Sequence, residues 1–261
     1  ATPDNGVATA IYAACKATVK VGDGKEITLH EETNYPFEEA IAFTVSTDEK
    51  VAFPFYLRIP SWTQKAEVWV NGKKVSVTPV AGKYLCINRE WANGDRVELT
   101  LPMSLSMRTW QVNKNSVSVD YGPLTLSLKI AEKYVEKDSR ETAIGDSKWQ
   151  KGADPQKWPT TEIYPDSPWN YSLVLDKKEP LKNFKVIRKS WPADNYPFTV
   201  TSVPLEVKAI GRPVPEWKID ETGLCGVLPE EDAVKGDKEE ITLIPMGAAR
   251  LRISAFPNTK E

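Results

Sequence analysis

The 261-residue sequence predicts an all-β fold, and three observations support this prediction. Apolar and polar residues alternate along many short segments, which is the pattern of a strand with one buried face. The chain contains 20 Pro, 14 Gly, 9 Trp, 9 Tyr and 7 Phe, a composition that suits many strands joined by turns. No long segment carries a convincing helical period.

The segment from Val51 to Ile59 is the clearest predicted strand, because its Val, Phe, Leu and Ile side chains all fall on one face. Pro54 lies on the opposite face and, since proline donates no hydrogen bond to a ladder, it indicates an edge or a bulge. Asn71-Gly72 tolerates the positive φ angles of a type I′ turn and predicts a hairpin between residues 68–70 and 74–77. Further strands are predicted at residues 10–21, 26–33, 40–45, 84–88, 96–101, 116–120 and 124–130.

The succession of strands predicts two β-sandwich domains joined by an irregular linker. The first domain covers residues 1–131 and the second covers residues 132–261. In the first part of the second domain, residues 132–168, charged residues and turn formers replace the alternation and predict an irregular arm. Strands of the second domain are predicted at residues 171–175, 184–187, 198–200, 203–209, 241–244 and 251–255.

Five aromatic residues in and next to this arm are candidate contact residues. A solvated linker seldom carries so many aromatics, so we expect them to touch either a neighbouring domain or a carbohydrate. They are Trp149, Trp158, Tyr164, Trp169 and Tyr171. Trp69 and Trp91 lie in or beside well-patterned strands, and we expect both in the core.

The balance of charges argues against a nucleic-acid partner. The 34 Lys and Arg residues face 36 Asp and Glu residues, for a formal net charge of −2. A nucleic-acid binder needs a surplus of cations to displace counterions from phosphates. No apolar stretch approaches the length of a membrane span, so a membrane partner is not predicted either.

The sequence lacks the motifs of serine esterases, zincins, P-loop enzymes and Rossmann oxidoreductases. The single histidine, His30, is expected to be a partly exposed strand residue, and the three widely spaced cysteines are expected to be buried, inert thiols. We therefore predict no catalytic residue, no metal site and no cofactor in this chain. An acidic pair on the sandwich would be the remaining route to a hydrolase.

Several short strings of the first half occur in an order and spacing that match a known family. They are Ile11-Tyr12-Ala13, Lys20-Val21-Gly22-Asp23-Gly24, Glu32-Thr33-Asn34-Tyr35-Pro36-Phe37, Phe55-Tyr56-Leu57-Arg58-Ile59-Pro60-Ser61-Trp62, Val70-Asn71-Gly72, Arg89-Glu90-Trp91, Gly94-Asp95-Arg96-Val97-Glu98-Leu99, Leu101-Pro102-Met103 and Tyr121-Gly122-Pro123-Leu124. This set, over residues 7–130, resembles the C-terminal β-sandwich region of glycoside hydrolase family 127, which includes β-L-arabinofuranosidases. Strings of the second half, among them Asp220-Glu221-Thr222-Gly223-Leu224, are similar to the appended domain of longer bacterial members.

The resemblance implies that the catalytic (α/α)6 barrel, with its cysteine nucleophile, acidic partner and zinc, lies upstream in the family and is absent from this chain. The chain begins at Ala1 with polar residues and no leader pattern, so we expect a fragment. Cys15 stands alone beyond the usual place of the family's adjacent-cysteine motif, and the nucleophile role is not carried over to it. None of the family's catalytic residues is therefore expected here.

The function implied is a non-catalytic accessory region of a bacterial glycoside hydrolase that acts on plant glycans. Its partner would be the catalytic barrel of the same protein, which it would pack against and stabilise. The alternative is an autonomous carbohydrate-binding module whose partner is an oligosaccharide. Family analogy favours a periplasmic or extracellular location.

Overall fold

A computed structural model describes residues 1–138, 154, 156–221, 223–230 and 233–261 of the chain. Strands dominate, and the one helical element among these residues is a 3-10 turn at Met246–Ala248. The predicted all-β class is therefore confirmed. No helix within the described ranges is long and apolar enough to cross a membrane.

The chain divides into two compact units, and each unit combines two separate stretches of the sequence. Unit 1 consists of Ala1–Ser106 with Tyr121–Leu124, and unit 2 consists of Met107–Asp120 with Thr125–Glu261. The sequence predicts a boundary near residue 131 instead. The difference arises because the strand Leu124–Leu128 pairs with the strand Glu239–Pro245, far away along the chain, and the ladder decides to which unit most of it belongs.

Unit 1 is built from nine strands that form two sheets. They are β1 Val7–Thr9, β2 Cys15–Val21, β3 Lys25–Thr33, β4 Ala40–Ser46, β5 Val51–Arg58, β6 Glu67–Val70, β7 Lys73–Lys74, β8 Tyr84–Trp91 and β9 Arg96–Thr100. One sheet has the order β1-β5-β8 and the other the order β2-β3-β4-β9-β6-β7. Alternate residues of these strands are buried in one shared core, which is the arrangement of a sandwich.

Strand β5 confirms the clearest prediction of a strand. Phe53, Phe55 and Leu57 are each at most 1% exposed, and the residues between them face outward. Trp91 is fully buried as expected, and its indole N–H donates to the carbonyl oxygen of Phe53 at 3.0 Å. The Phe53 and Trp91 ring centroids lie 5.6 Å apart, so the two rings pack directly against each other.

Trp69 does not lie in the core, and the expectation that it would was wrong. On β6 the inward positions belong to Val68 and Val70, which are 0% and 8% exposed. Because side chains alternate along a strand, Trp69 between them faces outward and is half-buried. The alternation of the strand decides the side on which this indole lies.

The predicted hairpin between β6 and β7 is confirmed at its turn. Asn71 and Gly72 have φ angles of 50° and 74°, as a type I′ turn requires. Val70 pairs with Lys73 across the turn. The second strand is shorter than predicted, since it ends at Lys74.

Unit 2 holds the remaining strands. They are β10 Leu105–Trp110, β11 Ser116–Tyr121, β12 Leu124–Leu128, β13 Glu132–Lys137, β14 Thr160–Pro165, β15 Tyr171–Leu175, β16 Lys185–Arg188, β17 Leu205–Pro213, β18 Glu239–Pro245 and β19 Asn258–Lys260. The main sheet has the order β10-β11-β12-β18-β17-β15-β19, with β16 also pairing with β17. Residues 198–200 and 251–255, which the pattern predicts as strands, are not strands.

The predicted irregular arm is partly regular. Strands β13 and β14 form a six-pair antiparallel ladder from Glu132 opposite Pro165 to Lys137 opposite Thr160. The sequence pattern does not predict these two strands. Hardly any of their side chains are buried, so the strands do not require alternating apolar residues. The arm therefore contains a two-stranded ladder. In the sequence, this ladder lies between strands β12 and β15 of the main sheet of unit 2.

Candidate functional site

One cavity in unit 2, which the arm helps to line, has a volume of about 490 Å³. It lies between β14, the residues Ile219 and 223–225, and the segment at residues 250–253. Ile130 and Ile253 contribute buried apolar surface to it, and Tyr164 and Trp169 add two aromatic rings. The volume lies within the range of small-molecule and oligosaccharide sites.

Trp169 is held in place by a second indole. Its ring centroid is 5.2 Å from that of Trp217, with an interplanar angle of 66°. Trp217 is 4% exposed and donates its indole N–H to the carbonyl oxygen of Gly226 at 3.0 Å. The side-chain amide of Asn170 donates to the carbonyl oxygens of Val214 and Trp217 at 2.9 and 3.0 Å. This wall of the cavity is therefore rigidly supported by buried groups.

Two hydrogen bonds join Asp220 to Leu224. The N–H of Asp220 donates to the carbonyl oxygen of Leu224 at 2.8 Å, and the N–H of Leu224 donates to the Asp220 carboxylate at 3.0 Å. Gly223 has a φ of 84°, a left-handed conformation that glycine adopts without strain. Leu224 is 66% exposed and lines the cavity.

The cavity also carries charged groups. Arg250 and Arg252 line it together with Glu162. The backbone N–H of Arg250 donates to the Glu132 carboxylate at 2.9 Å, and Arg252 Nε donates to the carbonyl oxygen of Ala249 at 2.9 Å. These guanidinium groups can donate to hydroxyl or anionic oxygens, and the Glu162 carboxylate can accept from hydroxyls.

Tyr164 is partly committed to a neighbouring carboxylate. Tyr164 is 44% exposed, and its phenol donates a hydrogen bond to Glu162, which raises the pKa of the phenol. The ring itself remains available as an apolar surface on the cavity wall. The arrangement fits a ligand with both apolar and hydroxyl-bearing faces.

The structure brings together two of the five predicted contact residues, Tyr164 and Trp169. Trp158 is 70% exposed and is not among the residues that line this cavity. Tyr171 is only 6% exposed on β15, where burial raises the pKa of its phenol to about 12. Trp149 lies outside the described residues.

Arg250, Arg252 and Leu224 were not predicted as site residues. The strand-like alternation of residues 251–255 indicates buried apolar side chains but gives no sign of a site role for Arg252 or the preceding Arg250. Leu224 lies in a turn whose sequence indicates only a loop. No local signal places these three side chains opposite Tyr164, because residues about sixty to ninety positions apart meet only through the fold.

The expectation of buried thiols was wrong for two cysteines. Cys15 and Cys225 are exposed, and Cys86 is half-buried. Cys15 begins β2, an edge strand with few buried residues, so its apolar neighbours do not enclose it. His30 is half-buried on the outer face of β3, as predicted.

Within the part of the chain that the structure describes, no three His, Cys, Asp or Glu side chains are grouped to hold a metal ion. The expectations that this region uses no cofactor and carries no catalytic residue remain predictions. The buried carboxyl of Glu31 is notable, because burial raises its pKa to about 7 while the N–H of Ala13 donates to it at 2.9 Å. The Glu31 carboxyl therefore accepts a hydrogen bond from the backbone of its own unit.

Comparison with solved structures shows which proteins have a similar fold. Over 99% of its length the chain resembles the solved β-L-arabinofuranosidase Ara127N-Se of Geobacillus stearothermophilus T6, at 20% identity and a TM-score of 0.62, covering 34% of that protein. A structure described as "The GH127, Beta-arabinofuranosidase, BT3674" is matched over 99% of the chain at 22% identity and a TM-score of 0.63, covering 36% of that protein. A third, described as a glycoside hydrolase, has 22% identity and a TM-score of 0.62 over 98% of the chain and 36% of its own length. The chain therefore shares its fold with about a third of each of these proteins.

A family model also matches part of the chain. Residues 6–103 match the model described as "Beta-L-arabinofuranosidase, GH127 middle domain". The predicted resemblance to family 127 is therefore confirmed, although the model describes a middle domain where the sequence analysis placed a C-terminal region. The chain spans about a third of the length of the structures it matches. A comparison with curated proteins finds no match.

Proposed function

We propose that this chain is a non-catalytic accessory region of a bacterial glycoside hydrolase of the β-L-arabinofuranosidase type that acts on plant glycans. Its role is to pack on the catalytic barrel of the same protein and stabilise it. The observation that carries the proposal is the family match over residues 6–103 combined with a fold that corresponds to about a third of much longer hydrolases.

Exposed apolar side chains in unit 2 support a docking role. Val227 is 83% exposed, Leu224 66% and Tyr134 56%. Leu224 lies on the cavity, Val227 is three residues further along the chain, and Tyr134 pairs with Ile163 beside Tyr164 on the β13–β14 ladder. Exposed apolar side chains are a feature of surfaces that another protein segment covers.

The first test compares hydrolysis of an aryl β-L-arabinofuranoside by this chain and by the full-length protein. We expect turnover by the full-length protein alone. Turnover by the isolated chain, abolished by substitution of an acidic pair within it, would contradict the proposal and place an active site on the β-sheets.

The second test measures docking in the full-length protein. The double variant L224D/V227D should lower the Tm of the full-length protein, because two buried contacts would become buried carboxylates. Val112 is also fully exposed in unit 2, at the turn between β10 and β11, so V112D is the matched control and should leave the Tm unchanged. Equal Tm values for all three proteins would contradict docking through this surface.

A carbohydrate-binding module is the second candidate, because Tyr164 and Trp169 line one cavity with two arginines. Titration of the isolated chain with neutral oligosaccharides tests it. Binding that is lost in W169A and kept in V112D would favour a glycan site at this cavity over a docking surface.

A further inference from the structure

The outer face of the six-stranded sheet of unit 1 carries a groove of about 520 Å³. One row of directly paired residues crosses it from strand to strand. Glu32 on β3 pairs with Ala42 on β4, Ala42 pairs with Glu98 on β9, and Glu98 pairs with Trp69 on β6. Since paired residues share a face and neighbouring strands lie about 4.8 Å apart, the row is about 14 Å long. This length can accommodate two to three sugar rings.

Small side chains create the depression. Ala42 lies between the two glutamates, and the next row contains Ala40 opposite Thr100. All three residues line the groove. Trp69 rises at one side of this low floor and Glu32 at the other, so the groove has an aromatic wall and a polar wall.

The indole of Trp69 has a charged neighbour on the paired strand. Lys74 pairs with Trp69 across the hairpin, and its hydrogen bond and charge lower the pKa of the Glu67 carboxyl. Lys74 forms an ion pair with Glu67 at 2.6 Å, and its ammonium nitrogen lies 5.9 Å from the Trp69 ring centroid. An aromatic side chain held in this way loses little conformational entropy on binding.

Polar groups on the floor are arranged around one guanidinium. Arg96 Nε lies 3.1 Å from Glu98 Oε1, and Arg96 Nη1 lies 3.7 Å from Glu32 Oε2. The side chains of these three residues are each about half exposed, so the ion pairs are open to solvent. Each carboxylate offers about four lone-pair positions, so both can still accept hydrogen bonds from ligand hydroxyls.

We propose that this groove binds a neutral oligosaccharide, with one ring stacked on Trp69 and its hydroxyls bonded to Glu32, Glu98 and Arg96. The apolar face of a sugar ring fits an indole face, and the hydroxyls at its edge fit alternating acceptors and donors. Glu32, Glu38 and Glu98 outnumber Arg96 in the groove, so an anionic sugar or a phosphate is disfavoured. The proposal rests on the proposed function only for the choice of neutral plant glycans as ligands.

The experiment is titration of the chain by isothermal calorimetry with L-arabino-, xylo- and galacto-oligosaccharides of three to five residues. The W69A variant should bind about fivefold more weakly or worse, since a stacked ring contributes at least about that factor. A42R fills the depression without removing any wall residue, and it should abolish binding. Trp110 is 41% exposed on β10, so W110A is the control and should bind like the wild type.

The outcomes separate this proposal from the proposed function. Binding of any of these glycans, with loss in W69A and A42R, supports the groove, whereas the proposed function is decided separately by the hydrolysis assay. Binding that survives both variants and is lost in W169A assigns the glycan to the cavity of unit 2 and overturns the groove. Absence of binding to all three glycans overturns the groove, while leaving the accessory role to its own tests.

Discussion

The buried carboxyl of Glu31 should make the stability of unit 1 fall as the pH rises through neutrality. Glu31 is 5% exposed on the inner face of β3, and burial raises its pKa from about 4.5 to about 7. The folded protein therefore keeps a proton that the unfolded chain releases in this range. The stabilisation is complete below pH 4.5 and is lost progressively as the pH rises to 7. A difference of this size corresponds to about 3 kcal/mol.

The perturbation is Glu31→Gln, which keeps the shape and the carbonyl acceptor for the N–H of Ala13 but cannot ionise. We expect E31Q to match the wild type within about 1 kcal/mol at pH 4.5 and to exceed its free energy of unfolding by up to about 3 kcal/mol at pH 8. Urea unfolding at half-unit pH steps from 4 to 8, followed by intrinsic tryptophan fluorescence, measures both curves.

The matched control is E90Q, since Glu90 is exposed on β8 of the same unit. Its curve should keep the decline of the wild type between pH 4.5 and 7, because Glu31 is intact. A wild-type free energy that does not change across this window, or a decline that persists in E31Q, would refute the reasoning about Glu31.

Three further predictions concern packing and turns in unit 1. Trp91→Phe removes the indole hydrogen bond to Phe53 and leaves a small cavity, so the free energy of unfolding should fall by about 2 to 3 kcal/mol in urea titrations. Gly6→Ala would place a methyl carbon 2.3 Å from the carbonyl oxygen of Pro54, and the backbone shift this forces should cost about 1 to 3 kcal/mol and increase hydrogen exchange in β1. Gly72→Ala has open space around it but a φ of 74°, so it should cost only about 1 kcal/mol, read as a Tm shift of a few degrees.

Strand β5 of unit 1 was predictable because its apolar and polar residues alternate without interruption, whereas the strand predicted at residues 10–21 begins only at Cys15. Phe53, Phe55 and Leu57 occupy alternate positions, and burial of one face is enough to select a strand there. The turn at Asn71-Gly72 was predictable for a local reason, since few other residue pairs accept two positive φ angles. Strands β13 and β14 carry no such signal, because their exposed faces demand no pattern.

The candidate sites were predictable only in part. Tyr164 and Trp169 stand out as aromatics in a polar arm, and they do line one cavity. Trp69 was assigned to the core because a large aromatic in a patterned strand usually packs inside. Its neighbours Val68 and Val70 occupy the inner side of that strand. If both valines are assigned to the core, the alternation of the strand places Trp69 on the outer side, so the sequence alone allowed this assignment.

The sequence by itself determined the all-β class, the main strands of unit 1, the type I′ turn and the resemblance to family 127, because each depends on neighbouring residues or on short strings in order. Only the tertiary structure decided which strands share a sheet, and therefore that Glu32, Ala42, Glu98 and Trp69 form one row across four strands. The physical reason is that hydrogen-bonded ladders join residues far apart in the chain, and no local pattern specifies the register between them.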